Sequence, residues 1–412
     1  MQLQTAEAGG QLNSIVIKPI GSFCNLRCTY CFYLQKHELY EGVPSTHKMD
    51  DETLENLIIQ MFECSPEPTF VWQGGEPTIL GIGFFENVVR LQKKHAGRKS
   101  YSNAIQTAGH MLNTDWADFL LRENFMVGLS MDGPQHIHDY YRKDVKGKGT
   151  FERVFANAKM LLEKKVPVNI LVTVNNYVAE HPREVYKFFV DNGFYFMQFS
   201  PVVELHPSNP EITAPFTVTS EAFGRFLNKV FRQWIKDFDF NTLKQKTSIR
   251  FFDELMKCYV GMQPSHCVLT KNCNQYLVVE HNGDLYSCDF LVSKDTHLGN
   301  LHSTHMRKAF NSEAHTAFGA MKADYGEECK QCKWLHQCYG GCTKDRMHDP
   351  RDNGHNHFCG SYKYFFERAD KDFKSLANLY TKHYMGGNQQ AVKAQPIAIY
   401  PPRKQQQLTT TP

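Results

Sequence analysis

The chain has 412 residues, of which 42% are hydrophobic and 22% are charged, the composition of a globular protein large enough for two domains. Its net charge of +3 is spread along the sequence, which argues against a basic nucleic-acid surface. No run of about 18 apolar residues predicts a membrane span, and the polar residues 1–14 lack the layout of a signal peptide. We therefore expect a cytoplasmic protein with no nucleic-acid or membrane partner.

Strand-like and helix-like segments alternate through the first 235 residues. Short runs rich in β-branched and aromatic residues predict six buried strands, at 14–20, 69–73, 101–107, 126–130, 168–174 and 194–200. Such alternation predicts an α/β fold with a parallel sheet and right-handed crossovers. Six units predict a partial (β/α)6 barrel, TIM-like but not closed into eight units.

Amphipathic segments predict the helices between these strands. Asp50 or Asp51 caps the first helix, another covers the apolar positions 151–162, and a third ends before Gly193. A longer helix at about 219–237 leads into the second half, and the last helix ends near Tyr384. After that residue, a composition rich in Gln, Pro and Thr predicts a disordered tail.

Three cysteines, Cys24, Cys28 and Cys31, follow the first predicted strand in a C-x3-C-x2-C pattern. In a reducing compartment, clustered cysteines usually bind metal rather than form disulfides. Three thiolates hold three corners of a four-iron cluster and leave one iron open to bind a ligand. The alternative is three unrelated buried thiols, because free cysteine is often a small core residue.

Polar motifs also follow the next three predicted strands. In chain order they are Gln73-Gly74-Gly75-Glu76-Pro77, Gln106-Thr107 and Ser130-Met131-Asp132-Gly133. Because the carboxyl ends of parallel strands meet on one rim, we expect these motifs to lie near the cysteine triplet. The paired glycines allow the backbone to approach a ligand closely, and Glu76 offers an acceptor for an ammonium group.

The second half of the chain carries a second group of spaced cysteines. Eight of them belong to it, namely Cys267, Cys273, Cys288, Cys329, Cys332, Cys338, Cys342 and Cys359. Eight thiolates saturate two four-iron clusters or, alternatively, two structural zinc ions. Cys64 and Cys258 lie outside both patterns, and we interpret them as plain thiols.

The triplet, with Tyr30 just before its last cysteine, and Gly74-Gly75-Glu76-Pro77 resemble the radical S-adenosylmethionine (radical SAM) superfamily. The resemblance implies that the open iron chelates the amino and carboxylate groups of SAM. It also implies that SAM is cleaved to a 5′-deoxyadenosyl radical, which takes a hydrogen atom from the substrate. The residues that it places around SAM or the substrate backbone are Tyr30, Tyr33, Gln73, Gly74, Gly75, Glu76, Gln106, Ser130 and Asp132. For Ser130 and Asp132 the alternative is a cap on the Asp132-Gly133-Pro134 turn.

The cysteine pattern of the second half, together with Gly283, resembles the SPASM extension of radical SAM enzymes that modify peptides. This resemblance favours iron–sulfur clusters over zinc, and in the family the ligands of the two clusters interleave. Carried onto this chain, the first auxiliary cluster is held by Cys267, Cys273, Cys288 and Cys342. The second is held by Cys329, Cys332, Cys338 and Cys359. We expect a barrel at 1–235, a SPASM domain with a C-terminal helix at 236–384, and the tail at 385–412.

Within this group the chain is similar to anaerobic sulfatase-maturating enzymes, on motifs that extend from the triplet to Tyr286-Ser287-Cys288-Asp289-Phe290. The resemblance implies SAM, three 4Fe-4S clusters, a sulfatase substrate and a flavodoxin- or ferredoxin-like electron donor. These enzymes oxidise a cysteine or serine of a sulfatase to Cα-formylglycine. The sequence does not indicate which of the two residues is the target, which sulfatase carries it, or the oligomeric state.

Asp289 is the candidate base, because it matches the position of the family's proposed base. The radical removes a Cβ hydrogen from the target, after which one electron and one proton must leave. Cys288 would hold the cluster that takes the electron, and the adjacent Asp289 would take the proton. An aspartate of ordinary acidity is ionised near neutral pH and is therefore ready to act. The alternative is that Asp289 only bonds to the backbone of the cluster loop.

One residue departs from the family pattern. Where family members commonly have Gln-Thr-Asn-Gly, this chain has Gln106-Thr107-Ala108-Gly109, so that one amide is missing from the rim.

Two other functions stay open at this point. They are a SPASM maturase that oxidises or crosslinks another ribosomal peptide, and a non-enzymatic zinc-binding scaffold.

Overall fold

A computed structural model describes residues 10–240, 242, 244–350 and 355–384. The disordered tail predicted at 385–412 lies outside the described residues. The strands are β1 (Ser14–Lys18), β2 (Thr69–Trp72), β3 (Ser102–Thr107), β4 (Phe125–Ser130), β5 (Val168–Val174), β6 (Phe196–Pro201), β7 (Leu205–His206), β8 (Asn209–Thr213), β9 (Phe238–Asp239), β10 (Lys244–Gln245), β11 (Ser248–Ile249), β12 (Leu277–Glu280), β13 (Asp284–Tyr286) and β14 (His297–Asn300).

The helices alternate with the strands in the first half and dominate the end of the chain. The α-helices are α1 (Asp51–Cys64), α2 (Gly81–His95), α3 (Thr114–Arg122), α4 (Gln135–Tyr141), α5 (Phe151–Glu163), α6 (Pro182–Asp191), α7 (Ser220–Trp234), α8 (Arg250–Tyr259), α9 (Met306–Phe310), α10 (Glu313–Met321), α11 (Glu327–Lys330), α12 (Leu335–Cys338), α13 (Thr343–Met347) and α14 (Cys359–Tyr384). Among the residues described, no helix is both long and apolar enough to cross a bilayer.

Strands β1 to β6 lie side by side in one parallel sheet and form the predicted partial barrel. The sheet stays open, because β6 pairs next with β11 rather than with β1. The first strand ends at Lys18, earlier than predicted, because Gly21 turns back to bond with the Lys18 carbonyl at 3.1 Å. The sixth begins later, because the Phe194 amide bonds to Phe189 and closes α6.

The helix boundaries follow the capping residues that the sequence offers. Asp50 caps α1, since its side chain accepts a bond from the Thr53 amide at 2.8 Å, and Asp51 is the first helical residue. Thr219 caps α7 in the same way, and a 3-10 turn extends that helix to Asp237. Helix α6 ends shortly before Gly193, whose φ of 87° suits a helix stop.

The cysteine-rich half is joined to the barrel by the sheet itself. Strand β12 pairs in parallel with β1, from Ile15 opposite Leu277 to Lys18 opposite Glu280. Strands β13 and β14 then continue the same sheet in antiparallel order, which makes ten strands in all among the residues described. The sequence did not predict this pairing, and it places the second half directly beside the first cysteine loop.

An aromatic cluster on α7, α8 and α14 fixes the far side of this junction. Phe231 of α7 lies at its centre, with ring centroids 5.3 Å from Phe252, 5.5 Å from Phe365 and 5.0 Å from Phe373. All four of these rings are fully buried. The cluster therefore stabilises the contact between the barrel and the C-terminal helix.

Truncating Phe231 tests this role. We expect Phe231→Ala to lower the free energy of unfolding by about 3–5 kcal/mol, because the cavity it leaves is surrounded by rigid rings. Chemical denaturation measures the change. The control is Phe240→Ala, whose ring is 54% exposed and whose loss should change stability by about 0.5 kcal/mol or less. Equal effects of the two changes would contradict the assignment.

Candidate active site and cluster-binding cysteines

The cysteine triplet lies in a loop that follows β1 at the carboxyl ends of the parallel strands. The loop is held against the end of α4 and the segment after it, because the Thr29 amide bonds to Tyr141 at 3.2 Å and the Arg27 amide to Lys143 at 2.8 Å. The Cys31 amide bonds back to the Cys28 carbonyl at 3.1 Å. The backbone thus brings all three sulfurs to one short loop.

A buried ion pair between Asp132 and Arg142 supports this loop. Asp132, after β4, accepts a hydrogen bond from the Tyr30 hydroxyl and forms an ion pair with Arg142 at 3.1 Å. Its other oxygen accepts the Thr173 amide at 3.0 Å. Arg142 also lies 3.9 Å from the Cys28 sulfur. Both Asp132 oxygens therefore have protein partners, and this carboxylate connects β4 and β5 with the cysteine loop.

The sulfurs of the triplet sit in an environment that disfavours an isolated thiolate. Burial raises the pKa of Cys24, Cys28 and Cys31, to about 11 for Cys28 despite the nearby Arg142. A bound metal supplies positive charge that reverses this effect. The donor set therefore fits iron ligation, with three soft sulfur ligands on one loop.

The two glycines of the Gly74-Gly75-Glu76-Pro77 motif pack against the cysteine loop. A Cβ on Gly75 would lie 1.9 Å from the Phe23 carbonyl oxygen, and Gly74 has a φ of 128°. The Gly75 amide bonds to the Gly21 carbonyl at 2.7 Å, and the Glu76 amide to Phe23 at 2.9 Å. The motif thus fixes the position of the loop that carries the first cysteine.

Glu76 is fully enclosed by donors from the protein. Its carboxylate accepts bonds from both Thr78 groups, from the Thr107 hydroxyl at 2.7 Å and from the Ala108 amide at 2.7 Å. Burial raises the pKa of this carboxyl, and these bonds oppose the shift. Because Ala108 contributes its backbone amide, the missing side-chain amide at this position does not affect the bond to Glu76.

Asp289 lies where the second half of the chain meets the barrel rim. The Tyr276 hydroxyl donates to it at 2.8 Å, and the Gln73 side-chain amide donates at 3.3 Å. Burial raises the pKa of Tyr276 well above its usual value, so that Tyr276 remains a donor. The structure therefore brings together a base candidate from the second half and a rim residue that follows β2.

Lys18, at the end of β1, is a buried cation that the sequence did not single out. Its ammonium lies 4.4 Å from the centroid of the Tyr33 ring, and Tyr33 donates a hydrogen bond to Glu280. Burial lowers the pKa of Lys18, while Asp289 and Glu280 oppose that shift. Lys18 thus lies near enough to interact electrostatically with both Asp289 and Cys31.

The remaining rim candidates lie on neighbouring strands. Gln106 is half-buried near the end of β3, opposite Gly128, and Ser130 is the last residue of β4. Both lie near the carboxyl ends of their strands, the edge of the sheet at which Gln73 and the triplet also lie. No regularity of the sequence identified Arg142 or Lys18, because a single buried cation leaves no spacing pattern.

The eight spaced cysteines of the second half sort into two sets around two cavities. The first cavity is lined by the first auxiliary set, Cys267, Cys273, Cys288 and Cys342. The second cavity is lined by the second auxiliary set, Cys329, Cys332, Cys338 and Cys359. Each cavity thus gathers the four cysteines that the interleaved pattern assigns to one cluster.

Each cavity fits an iron–sulfur cluster, because four soft sulfur ligands line it and a four-iron cluster is held by four thiolates. Burial raises the pKa of Cys288 to about 12 and that of Cys338 to about 11, so these thiolates also need a cation.

Comparisons with known proteins agree with this arrangement. A model of the radical SAM superfamily matches residues 19–189, and a SPASM model, an iron–sulfur cluster-binding domain, matches residues 267–333. The chain is 36% identical over 373 residues to the serine-type anaerobic sulfatase-maturating enzyme of Bacteroides thetaiotaomicron, with coverage of 86% of this chain and 89% of that protein. It is 37% identical over 374 residues to the cysteine-type enzyme of Clostridium perfringens, covering 89% and 98%.

A solved structure gives the same result. "Native anSMEcpe with bound AdoMet and Cp18Cys peptide" superimposes with a TM-score of 0.79 at 36% identity, and covers 89% of this chain and 98% of that one. That protein therefore holds SAM and a peptide on the same fold. Serine-type and cysteine-type relatives are equally similar in sequence, so identity alone does not assign the target residue.

The Asp132–Arg142 ion pair provides a test of the support beneath the triplet. We expect Arg142→Met to lower the free energy of unfolding by about 3–5 kcal/mol, because it leaves a buried carboxylate without its cation. The same change should reduce the iron bound by the triplet. Denaturation and iron analysis measure the two effects.

The control for Arg142→Met is Lys164→Met. That change breaks an exposed ion pair with Asp118 and should cost about 1 kcal/mol or less. An Arg142→Met protein with unchanged stability and full iron content would show that the ion pair does not support the loop.

Proposed function

The chain belongs to the family of anaerobic sulfatase-maturating enzymes, and from that premise we propose that it oxidises one cysteine or serine of a sulfatase to Cα-formylglycine. When bound, SAM and the clusters supply a radical that abstracts hydrogen and a site that accepts one electron. We propose that Cys24, Cys28 and Cys31 hold the SAM cluster. Two auxiliary clusters belong to the two sets of four cysteines that line the cavities.

The reaction must remove three particles from the target side chain. They are a hydrogen atom from Cβ, one electron, and the proton of the hydroxyl or thiol. A serine target gives the aldehyde directly. A cysteine target gives a thioaldehyde, from which water releases hydrogen sulfide and leaves the aldehyde. The protein therefore needs a group that takes a proton close to a group that takes an electron.

The contact between Asp289 and Gln73 carries the proposal. Asp289 follows Cys288, one of the cysteines of the first auxiliary set, and its carboxylate reaches the barrel rim through Gln73. Tyr276 donates to the same carboxylate and lies 3.9 Å from the Cys288 sulfur. A target side chain near Gln73 would thus have its proton acceptor and the first auxiliary site on the same side.

The rim residues can orient an extended peptide and SAM. We assign this role to Tyr33, Gln73, Gln106 and Ser130, whose phenol, amide and hydroxyl groups match backbone donors and acceptors. The cysteine loop is fixed by hydrogen bonds of Gly75, Glu76 and the Tyr30–Asp132 pair. Gly74 contributes through its close approach to the Gly21 carbonyl. Lys18 offsets negative charge next to Asp289 and Glu280.

The partners and compartment follow from the same chemistry. We propose a sulfatase polypeptide as substrate and a flavodoxin- or ferredoxin-like protein as electron donor, because the SAM cluster must be reduced in each cycle. We also propose a cytoplasmic location, since a chain with 13 cysteines as ligands or thiols requires a reducing compartment.

The decisive experiment is an anaerobic assay of reconstituted protein. It contains SAM, a reductant and sulfatase-motif peptides that carry cysteine or serine, and mass spectrometry follows the products. Formylglycine with an equal amount of 5′-deoxyadenosine supports the proposal and identifies the target residue. Formation of 5′-deoxyadenosine without modified peptide would reject the sulfatase substrate, and the absence of SAM cleavage in iron-loaded protein would reject the enzyme activity.

Replacing Asp289 tests its role as the base. An amide cannot take the proton, so we expect Asp289→Asn to lower the rate of formylglycine formation by about 10²–10⁴-fold while the iron content stays full. The control is Asp295→Asn, which changes an exposed carboxylate nearby and should leave the rate unchanged. Full activity of Asp289→Asn would assign the proton to another group.

Iron analysis tests the ligand sets. We expect about twelve iron ions per reconstituted chain and a loss of about four in Cys359→Ala, because an incomplete cavity cannot retain its cluster. Cys258→Ala is the matched control, since that thiol bonds to the Glu254 carbonyl within α8 and lines neither cavity. Zinc in place of iron, or an equal loss in both variants, would contradict the assignment.

A further inference from the structure

Lys322 is a buried lysine beside the first auxiliary cavity. It follows directly after α10, has 0% of its surface exposed and belongs to the lining of that cavity. Its ammonium donates hydrogen bonds to the carbonyls of Cys267, Val268 and Thr270, with a distance of 3.0 Å to Val268. These carbonyls belong to the loop that carries the first cysteine of the set.

The three acceptors indicate that Lys322 is charged. An ammonium has three N–H donors, and three carbonyls receive them, whereas a neutral amine would leave one carbonyl without a donor. Carbonyl groups orient a cation but do not neutralise its charge. A buried cation of this kind requires a negative partner nearby, because unpaired burial of charge is costly.

The negative partner lies inside the cavity. Within the described part of the chain, no carboxylate forms an ion pair with Lys322. Lys322 lines the same cavity as Cys267, Cys273, Cys288 and Cys342, and its ammonium binds the backbone of Cys267. Lys344, which lines the same cavity, differs in this respect, because Asp345 at 3.0 Å already balances its charge.

Lys322 also lies at the first cavity and not at the second. It lines the first cavity together with the whole first auxiliary set, and it is not among the residues that line the second cavity. A fixed positive charge stabilises the reduced form of a nearby cluster, because that form carries one more negative charge. The effect must therefore be greater on the first auxiliary cluster than on the second.

We propose that Lys322 is the buried counter-cation of the first auxiliary cluster and raises its reduction potential relative to the second. The inference rests on the proposed function, because it requires clusters at both cavities. A cluster bound there would supply the electron acceptor, and the charge of Lys322 would make that acceptor stronger on the side where Asp289 would take the proton. Lys322 is a positioning residue in this scheme, since it acts through the cluster and not on the substrate.

Redox titration of the full chain, followed by electron paramagnetic resonance, tests the proposal. The Cys24→Ala/Cys28→Ala/Cys31→Ala background removes the SAM cluster, and Cys359→Ala identifies the second auxiliary signal. In this background we expect Lys322→Met to make the potential of the first auxiliary cluster more negative. A tenfold change in its equilibrium constant, about 59 mV for one electron, is the expected size. Lys322→Arg, which keeps the charge, should leave the potential close to that of the protein with Lys322.

Lys330→Met removes an exposed lysine near Cys329 and serves as the control, because solvent screens its charge. The proposal is overturned by an unchanged potential in Lys322→Met, by equal shifts of both clusters, or by an Arg variant that behaves like Met. Loss of iron from the first cavity in Lys322→Met but not in Lys322→Arg would support it, because assembly would then require the charge. Loss in both would show that the geometry of the amine matters and not its charge.

Failure of the underlying function is recognised separately. Unsubstituted protein with no auxiliary cluster signals would refute the assignment of the two cavities, whatever the behaviour of Lys322. Protein with both signals but no influence of Lys322 on either would leave that assignment intact and refute only the role of the lysine.

Discussion

The parallel pairing of β1 with β12 is the constraint on which the site depends. Strand β1 leads into the cysteine triplet, and β12 leads towards Cys288 and Asp289. Their register places Lys18 opposite Glu280, so both strands end at the same edge of the sheet. The candidate base Asp289, the first auxiliary cavity and the barrel rim are therefore neighbours because of backbone hydrogen bonds between β1 and β12.

Buried charge is the second organising principle of the molecule. Asp132 is paired with Arg142, and Lys344 with Asp345, so these groups compensate one another within the protein. Lys322 instead has carbonyl partners beside a cavity lined with sulfur. Because burying an ion is costly, the distribution of paired and unpaired charges indicates where the protein is built to hold an anionic group.

The sequence predicted the features that repeat or keep a spacing. The six barrel strands and the cap of the first helix follow from such patterns. The grouping of the auxiliary cysteines was instead what the family resemblance implied. The β1–β12 pairing could not be predicted, because strands distant in the chain carry no local signal of their partner. For the same reason Arg142, Lys18 and Lys322 stood out only when the structure showed what surrounds them.

The same β1–β12 pairing has a consequence for synthesis of the chain. Strand β1 emerges from the ribosome first, yet its partner β12 follows about 260 residues later. Until then one edge of β1 exposes unpaired amides and carbonyls, the type of edge that recruits other strands. Contacts between such distant segments form slowly. Until β12 pairs with β1, the exposed edge of β1 can pair with strands of other chains. Its completion therefore belongs to the late stage of translation, when the cysteine-rich half becomes available.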